Sequence, residues 1–132
     1  MTVVIDSSAV VAALVSERSD GEWSCDAMRG QTLMAPAHIH VEVSNVLRRS
    51  VLAGHLARDV AALIHDELVQ MRIRTVAFET LAGRAWALHP DVTAYDAAYV
   101  ALAEELAAPL VTLDRRLAKA DGPTCSFLLP PE

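Results

Sequence analysis

Short apolar runs that alternate with longer helical patterns are the feature that most limits what this chain can fold into. The runs predicted as strands cover residues 2–5, 33–35, 72–77, 110–113 and 126–129. In the strongest of them apolar residues follow one another without alternation, as in strands that are covered on both faces. One or two helical patterns separate each run from the next. The sequence therefore predicts an α/β domain with a central, mainly parallel sheet of four to five short strands.

The helical patterns between these runs repeat apolar residues at helical spacing or are apolar nearly all round. They cover residues 9–15, 20–28, 36–50, 56–71, 78–86, 93–107 and 115–120. Asp20 and Thr93 are predicted to cap their helices, because a side-chain oxygen at that position accepts a free backbone N–H. Pro36 suits a first helical turn, where its missing N–H is no loss. The predicted helices are long and numerous enough to cover the sheet.

Length and composition narrow the class of protein further. With 132 residues, of which 53% are hydrophobic, the chain is predicted to form one domain over residues 1–132 and is too apolar to be disordered. No apolar run approaches the length of about 18 residues that spans a bilayer. Cys25 and Cys125 lack the spacing of a disulfide framework or a zinc site. We therefore expect a protein of the reducing cytoplasm.

A net charge of −6 argues at first against a nucleic-acid partner, because contacts from basic side chains to phosphates usually dominate such affinity. Two of the acids, however, follow predicted strands: Asp6 after the first run and Asp114 after the fourth. The carboxyl ends of parallel strands meet at one edge of a sheet, which is where sites form in open α/β sheets. Taken singly, each acid is more simply explained as a helix cap or a turn residue, but two such acids at one sheet edge favour a site.

Two further acids fall on predicted helices. Glu42 lies on or beside the apolar stripe of the 36–50 pattern, where an unpaired carboxylate is costly unless a positive group compensates it. An ion pair with an arginine, or a helix rotated toward solvent, are the alternatives. Asp96 comes three residues after Thr93 at the start of a largely apolar helix. It either completes a capping box or projects toward the same sheet edge.

Carboxylates that converge on one site repel one another and raise each other's pKa. A hard divalent cation removes that penalty, and carboxylate oxygens are the ligands that Mg²⁺ and Mn²⁺ prefer. Such a cation can activate water and stabilise charge on a phosphodiester, so an acidic chain can still act on nucleic acid. The predicted Mg²⁺ or Mn²⁺ site consists of Asp6, Glu42, Asp96 and Asp114.

The segments around these acids resemble a known family. The segments that carry the likeness are Asp6-Ser7-Ser8, Glu42 in a helix begun by proline, Tyr95-Asp96-Ala97-Ala98-Tyr99 and Val111-Thr112-Leu113-Asp114. Their order and spacing resemble the PIN-domain ribonucleases, and most of all the VapC-type toxins of type II toxin–antitoxin pairs. The likeness covers essentially the whole chain.

The resemblance implies a PIN-like α/β/α sandwich and a Mg²⁺- or Mn²⁺-dependent endoribonuclease that cleaves RNA phosphodiester bonds. It implies inhibition of translation or growth until a cognate antitoxin binds, and both a homodimer and a toxin–antitoxin hetero-oligomer. The catalytic and metal-binding acids it implies are Asp6, Glu42, Asp96 and Asp114. Asp6 and Asp96 are the expected direct ligands, and the hydroxyls of Ser8 and Thr112 are expected to orient carboxylates. Leu117 stands where some relatives have a further acid, which leaves the number of metal ions open.

Basic side chains are the candidates for contacts with RNA phosphates. The candidate arginines are Arg18, Arg48, Arg49, Arg115 and Arg116, and the last two directly follow Asp114. For each, ordinary solvated surface or ion pairing is the simpler explanation. The histidines, among them His38 and His40, are predicted to have surface or packing roles.

Two other functions fit parts of the pattern. A receiver-type phosphotransfer domain also binds Mg²⁺ at strand ends, but it needs a lysine late in the sheet, and the only lysine, Lys119, falls in the last predicted helix. The other is a catalytically silent PIN-like module whose acidic cleft binds an arginine of a partner. Such a module binds its partner but shows no metal-dependent cleavage.

Overall fold

Strands and helices alternate along the chain in the computed structural model, which describes residues 1–132. The strands are β1 (Thr2–Ile5), β2 (Thr32–Pro36), β3 (Ile73–Val76), β4 (Leu110–Val111) and β5 (Phe127–Leu128). The helices are α1 (Ser7–Val15), α2 (Ser19–Met28), α3 (Ile39–Leu52), α4 (Arg58–Gln70), α5 (Ala82–Ala87), α6 (Ala94–Leu106) and α7 (Arg115–Ala118). None of the helices has both the length and the apolar surface that crossing a bilayer requires.

The strands form one parallel sheet in the order β3-β2-β1-β4-β5. β1 lies at its centre, with Val4 paired to Met34 of β2 on one side and to Leu110 of β4 on the other. Val3, Val4 and Ile5 are all buried. Successive strand residues point to opposite faces, so both faces of the sheet are covered. The predicted α/β class with a central parallel sheet is confirmed.

The strand order creates a switch point between β1 and β4. From β1 the chain builds outward through β2 and β3, then returns to the other side of β1 to form β4 and β5. Open α/β sheets bind ligands outside the carboxyl ends of the strands at such a point. The backbone N–H of Asp6 donates to the carbonyl of Val111 at 3.2 Å, which joins the two strand ends directly.

Helix α6 provides the most deeply buried segment of the core. Every residue from Ala97 to Ala103 is buried, and the helix contacts β1 and β2. Several of these residues are alanines, whose small side chains let the helix approach the sheet closely. Asp96 immediately precedes this segment, so tight packing of the core fixes the position of its backbone.

The predicted start of the third helix is wrong. Pro36 is the last residue of β2, and α3 begins at Ile39 rather than in a turn that contains the proline. Pro36 lies beyond Met34, the last β2 residue that pairs with β1. Its missing N–H therefore removes no ladder hydrogen bond on that side, which explains why an interior strand tolerates it at its end.

Other helix starts also differ from the prediction. Arg18 occupies the N-cap position of α2 without a side-chain cap, and Asp20 lies in the first turn, where the helix dipole favours an acid. The helix predicted from residue 56 begins at Arg58. The single helix predicted over residues 78–86 is two short elements in the structure, a 3-10 turn at Phe78–Thr80 and α5.

Gly21 allows α2 to lie directly against the end of α1. A Cβ at this buried position would be 2.2 Å from the carbonyl oxygen of Ser16 and 2.8 Å from that of Ala12, both of them backbone atoms. We expect Gly21→Ala to lower the free energy of unfolding by about 2 kcal/mol, because the helices must move apart. Gly83→Ala in α5 is the control, since a Cβ there meets nothing within 4 Å. Denaturant unfolding of both variants makes the comparison, and equal midpoints would contradict the close approach.

Candidate active site

Asp6 lies where β1 ends and α1 begins, and the residue is only 4% exposed. Its Oδ1 accepts hydrogen bonds from Ser8 Oγ at 2.6 Å and from the backbone N–H of Ala9 at 3.0 Å. Its Oδ2 accepts from Thr112 Oγ1. Asp6 thus caps α1 and also brings a carboxylate to the sheet edge, and its role as a metal ligand stays a prediction.

Burial raises the pKa of Asp6 from 3.8 to about 6, because the charged form loses its solvation. The hydrogen bonds from Ser8, Thr112 and the Ala9 N–H favour the charged form and limit the rise, whereas the negative charge of Asp96 adds to it. At neutral pH the protein therefore holds a buried anion at a free-energy cost. A bound cation would remove that cost.

A network of hydroxyl groups ties the segment after β4 to Asp6. Thr112 Oγ1 donates to Asp6 and accepts the backbone N–H of Asp114 at 3.0 Å. Ser8 Oγ lies 3.4 Å from Thr112 Oγ1 and accepts the backbone N–H of Leu113 at 3.0 Å. Both hydroxyls therefore fix the carboxylate of Asp6 and the backbone that leads to Asp114. Their role in metal binding stays a prediction.

Asp96 interacts with each of the other acids. It lies in the first turn of α6, where its N–H donates to the capping Thr93 Oγ1 at 3.3 Å. Its pKa is raised, first by burial and then by the negative charges of Asp114 and Glu42. Asp96 in turn helps to raise the pKa of Asp6. The structure thus brings the other three predicted carboxylates within electrostatic reach of Asp96.

Glu42 is held by aromatic side chains rather than by an arginine. Its Oε1 accepts the hydroxyl of Tyr99 at 2.5 Å, and His38 Nε2 lies 3.5 Å from the same oxygen. The side chain is 27% exposed, so neither an arginine pair nor a helix rotated into solvent describes it. Burial and the hydrogen bond to Glu42 raise the pKa of Tyr99, which therefore stays a donor at neutral pH.

Sequence reasoning misses Tyr99, whereas His38 has the packing role predicted for it. The ring of His38 packs edge-on against that of Tyr99, with centroids 5.0 Å apart, so it supports the donor that holds Glu42. A signal was present in the spacing. Tyr99 is three residues after Asp96 and His38 is four before Glu42, and such pairs share a helix face.

Removal of the Tyr99 hydroxyl is expected to disturb Glu42 more than the fold. In Tyr99→Phe the ring still fills its buried place, but Glu42 loses its hydrogen bond. We expect the free energy of unfolding to fall by about 1 kcal/mol, since water can reach Glu42. Any metal-dependent turnover should fall about ten-fold, because the carboxylate is no longer oriented. Measurement of kcat beside thermal unfolding separates the two effects, and an unchanged kcat would contradict the role assigned to the hydroxyl.

The chemistry of these side chains fits a hard divalent cation, although the arrangement is not a ready-made cage. Glu42 Oε2 and Asp114 Oδ2 accept no hydrogen bond, and Asp6 Oδ2 accepts only one. These oxygens are the kind of donor that Mg²⁺ and Mn²⁺ prefer. No group of three His, Cys, Asp or Glu side chains is close enough to hold a metal ion as it stands. A cation held by these acids would require their partly exposed side chains to rotate.

Asp114 and Arg116 line a cleft of about 290 Å³ that Asp96 also lines. Asp114 Oδ1 caps α7 by accepting the N–H groups of Arg116 and Leu117 at 3.0 and 3.1 Å. Arg116 is exposed and lines this cleft, whereas the guanidinium of Arg115 donates to the carbonyl of Pro130. The predicted contact with RNA is therefore better placed at Arg116 than at Arg115, and both stay predictions.

Comparison with known proteins finds the same likeness along nearly the whole chain. A family model described as "PIN domain" matches residues 3–123. Ribonuclease VapC12 of Mycobacterium tuberculosis is 33% identical over 91% of this chain and 92% of its own length. Ribonuclease VapC3 of Pyrobaculum aerophilum is 35% identical over 90% of this chain and 94% of its own length.

Solved structures share the fold at much lower identity. Mycobacterium tuberculosis VapC20, described as a Sarcin-Ricin loop cleaving toxin, superposes with a TM-score of 0.67 at 14% identity and covers 89% of this chain and 93% of its own. Rickettsia felis VapBC2, described as bound to a DNA fragment from its promoter, gives 0.68 at 12% identity and covers 98% of each chain. These likenesses confirm the predicted fold.

Proposed function

This chain belongs to the PIN domain family, and from that premise we propose that it is an endoribonuclease that serves as the toxin of a toxin–antitoxin pair. The relatives named as VapC ribonucleases, at 33% and 35% identity over most of the chain, support the proposal. In it, the protein hydrolyses RNA phosphodiester bonds and slows translation or growth until its antitoxin binds.

The mutual influence of the four carboxylates at the switch point carries the proposal. The charges of Asp114 and Glu42 raise the pKa of Asp96, and the charge of Asp96 raises that of Asp6. Burial of Asp6 and Asp96 beside other negative charges opposes folding at neutral pH, and helix capping by Asp6 and Asp114 does not account for that cost. A site that binds a divalent cation and a phosphodiester explains both the number of these acids and the place of Asp6 and Asp114 after two strand ends.

Mg²⁺ or Mn²⁺ is the proposed cofactor, held by Asp6 and Asp96 and completed by Glu42 and Asp114 directly or through water. When bound, the cation activates the attacking water and stabilises the charge that develops on the phosphodiester. The chain's own residues position the ligands. The hydroxyls of Ser8 and Thr112 donate hydrogen bonds to Asp6. The Tyr99 hydroxyl donates to Oε1 of Glu42 and leaves Oε2 without a hydrogen bond.

The proposed partners are RNA, a cognate antitoxin and a second copy of the chain, in a homodimer and a toxin–antitoxin hetero-oligomer in the cytoplasm. Large apolar side chains that remain exposed on α3 and α4 support a protein partner. They are Val41, Leu52, Leu63 and Val69, which are between 62% and 72% exposed. Exposed apolar residues on adjoining helices are typical of surfaces that another protein covers.

A cleavage assay tests the proposed activity. The chain, purified free of partners, is incubated with tRNA, ribosomal RNA and messenger RNA in Mg²⁺, Mn²⁺ or EDTA. The expected result is cleavage with either metal and none in EDTA. Intact RNA under all conditions, with Mn²⁺ binding verified by calorimetry, would favour the catalytically silent module. Intact RNA with no metal bound would contradict the carboxylate site itself.

A further inference from the structure

A second cleft, of about 470 Å³, adjoins the carboxylate group and runs along α3. Glu42 belongs both to the carboxylate group and to this cleft, because it lines the cleft and its charge acts on Asp96. Tyr95, the residue before Asp96, also lines this cleft. A strand of nucleic acid with a phosphate at the carboxylates could therefore continue into this cleft without a break.

One face of α3 supplies polar groups along the floor of the cleft. His38, Glu42, Asn45 and Arg49 follow one another at intervals of four, three and four residues, so they lie on the same helix face, and all of them line the cleft. Arg49 lies two turns from Glu42, about 10.5 Å along the helix axis. Beyond His38 the floor runs from the carboxylate of Glu42, past the amide of Asn45, to the guanidinium of Arg49.

Tyr95 presents an aromatic ring to the cleft. The residue is 64% exposed, although it lies in the first turn of the most buried helix. Its ring stands edge-on to that of His38, with centroids 6.0 Å apart and planes at 67°, so the histidine supports it from one side. Covering an exposed aromatic side chain with a flat apolar surface is favourable, because the ring is removed from water.

Arg49 is unpaired, and its neighbour provides a contrast. Arg49 is exposed and forms none of the chain's ion pairs. Arg48 is exposed as well, but it lines a separate cavity between the end of α3 and the start of α4. Two adjacent arginines on one helix therefore face different surfaces, and only one of them shares a cleft with Glu42 and Tyr95.

We propose that this cleft is a subsite for one unpaired RNA nucleotide next to the phosphate that is cleaved. Tyr95 stacks on the base, Asn45 hydrogen-bonds to its edge, and Arg49 contacts the phosphate on its far side. Aromatic stacking combined with a basic contact to the backbone is the usual way in which proteins hold single-stranded nucleic acid. The amide of Asn45 offers both donors and an acceptor to a base edge. This inference rests on the proposed ribonuclease function and adds the part of the substrate that the site recognises.

Equilibrium binding in EDTA tests the subsite without cleavage. The probe is a short, mixed-sequence, single-stranded RNA with a fluorescein label, and fluorescence anisotropy gives the Kd. We expect Tyr95→Ala to raise the Kd about ten-fold, because stacking on a base is lost, and Tyr95→Phe to restore most of the affinity. Because Tyr95 is exposed, its truncation should leave thermal unfolding almost unchanged.

The salt dependence of binding tests the phosphate contact. One contact to a single strand contributes about 0.7 to the slope of log K against log salt. Arg49→Ala should therefore lower the slope by about that amount. Arg48→Ala removes the same charge from the preceding position of α3 and should leave the slope unchanged. Equal slopes for the two variants would overturn the contact.

A cleavage assay on the same variants separates this inference from the proposed function. The wild-type chain could cleave RNA while Tyr95→Ala and Arg49→Ala bind the probe with wild-type affinity. That result would show that the subsite is wrong, and a protein partner would then be the occupant to test for this cleft. If binding depends on both residues but no RNA is cleaved, the subsite holds and the proposed activity fails. A wild-type chain that neither binds the probe nor cleaves any RNA overturns both.

Discussion

Asp6→Asn is expected to lower metal-dependent cleavage of RNA by at least about a thousand-fold while the fold remains intact. The substitution removes the negative charge from the most buried of the four carboxylates, at the point where β1 and β4 meet. In the proposed mechanism Asp6 is a direct ligand of the cation, so the variant loses both cation affinity and the position of the scissile phosphate. Losses of this size are usual for residues that act as one unit in a site.

Asp66→Asn is the matched control for this substitution. Asp66 lies in α4, is exposed, and forms no ion pair, so its replacement removes one negative charge away from the site. Cleavage rates are measured over a series of Mn²⁺ concentrations for both variants. Activity of Asp6→Asn within ten-fold of the wild-type rate at saturating Mn²⁺ would contradict the assignment of Asp6 as a ligand.

The second prediction concerns the stability of the chain in EDTA as the pH changes. The pKa of Asp6 is raised from 3.8 to about 6 by burial. Between these two values the folded chain retains a proton that the unfolded chain has released, so the folded state loses stability as the pH rises. Below about pH 4 the effect vanishes, because Asp6 is protonated in both states. Above about pH 6 it is complete, and it amounts to at most about 3 kcal/mol.

Asp6→Asn makes this effect measurable, because an amide stays neutral at every pH. The Thr112 hydroxyl can turn to accept from the amide, so the local hydrogen bonds survive. Denaturant unfolding in EDTA should show the variant as more stable than the wild-type chain at pH 7.5 and equally stable near pH 4. A difference that stays constant over this pH range would mean that burial of the charge is not its source.

Addition of Mn²⁺ should reverse the order of stability at neutral pH. A ligand that binds only the folded state stabilises it, and only the wild-type chain keeps the full set of acids. The two predictions together describe a residue that costs the apoprotein stability and that the reaction requires. Stabilisation of both chains to the same extent by Mn²⁺ would place the cation elsewhere.

Much of the fold follows from local patterns. Uninterrupted apolar runs such as Val3–Ile5 are typical of strands in a sheet that is covered on both faces, and their alternation with helical patterns predicted the parallel α/β architecture. Because parallel strands end at one edge, the positions of Asp6 and Asp114 after two such runs determined that both acids lie there. The capping role of Thr93 is local as well, since it depends only on the first turn of α6.

What the sequence alone could not decide depends on residues that are distant along the chain. Thr112 binds the carboxylate of Asp6 across 106 positions, and Tyr99 binds Glu42 across 57. Such contacts depend on how helices rotate and pack on the sheet, and an apolar period defines a helix face only to within a residue or so. For the same reason the sequence alone could not distinguish Arg49, which lines the cleft beside Glu42, from Arg48, which lines a separate cavity. The sequence placed Asp6 and Asp114 at the sheet edge, and tertiary packing decided which other side chains lie beside them.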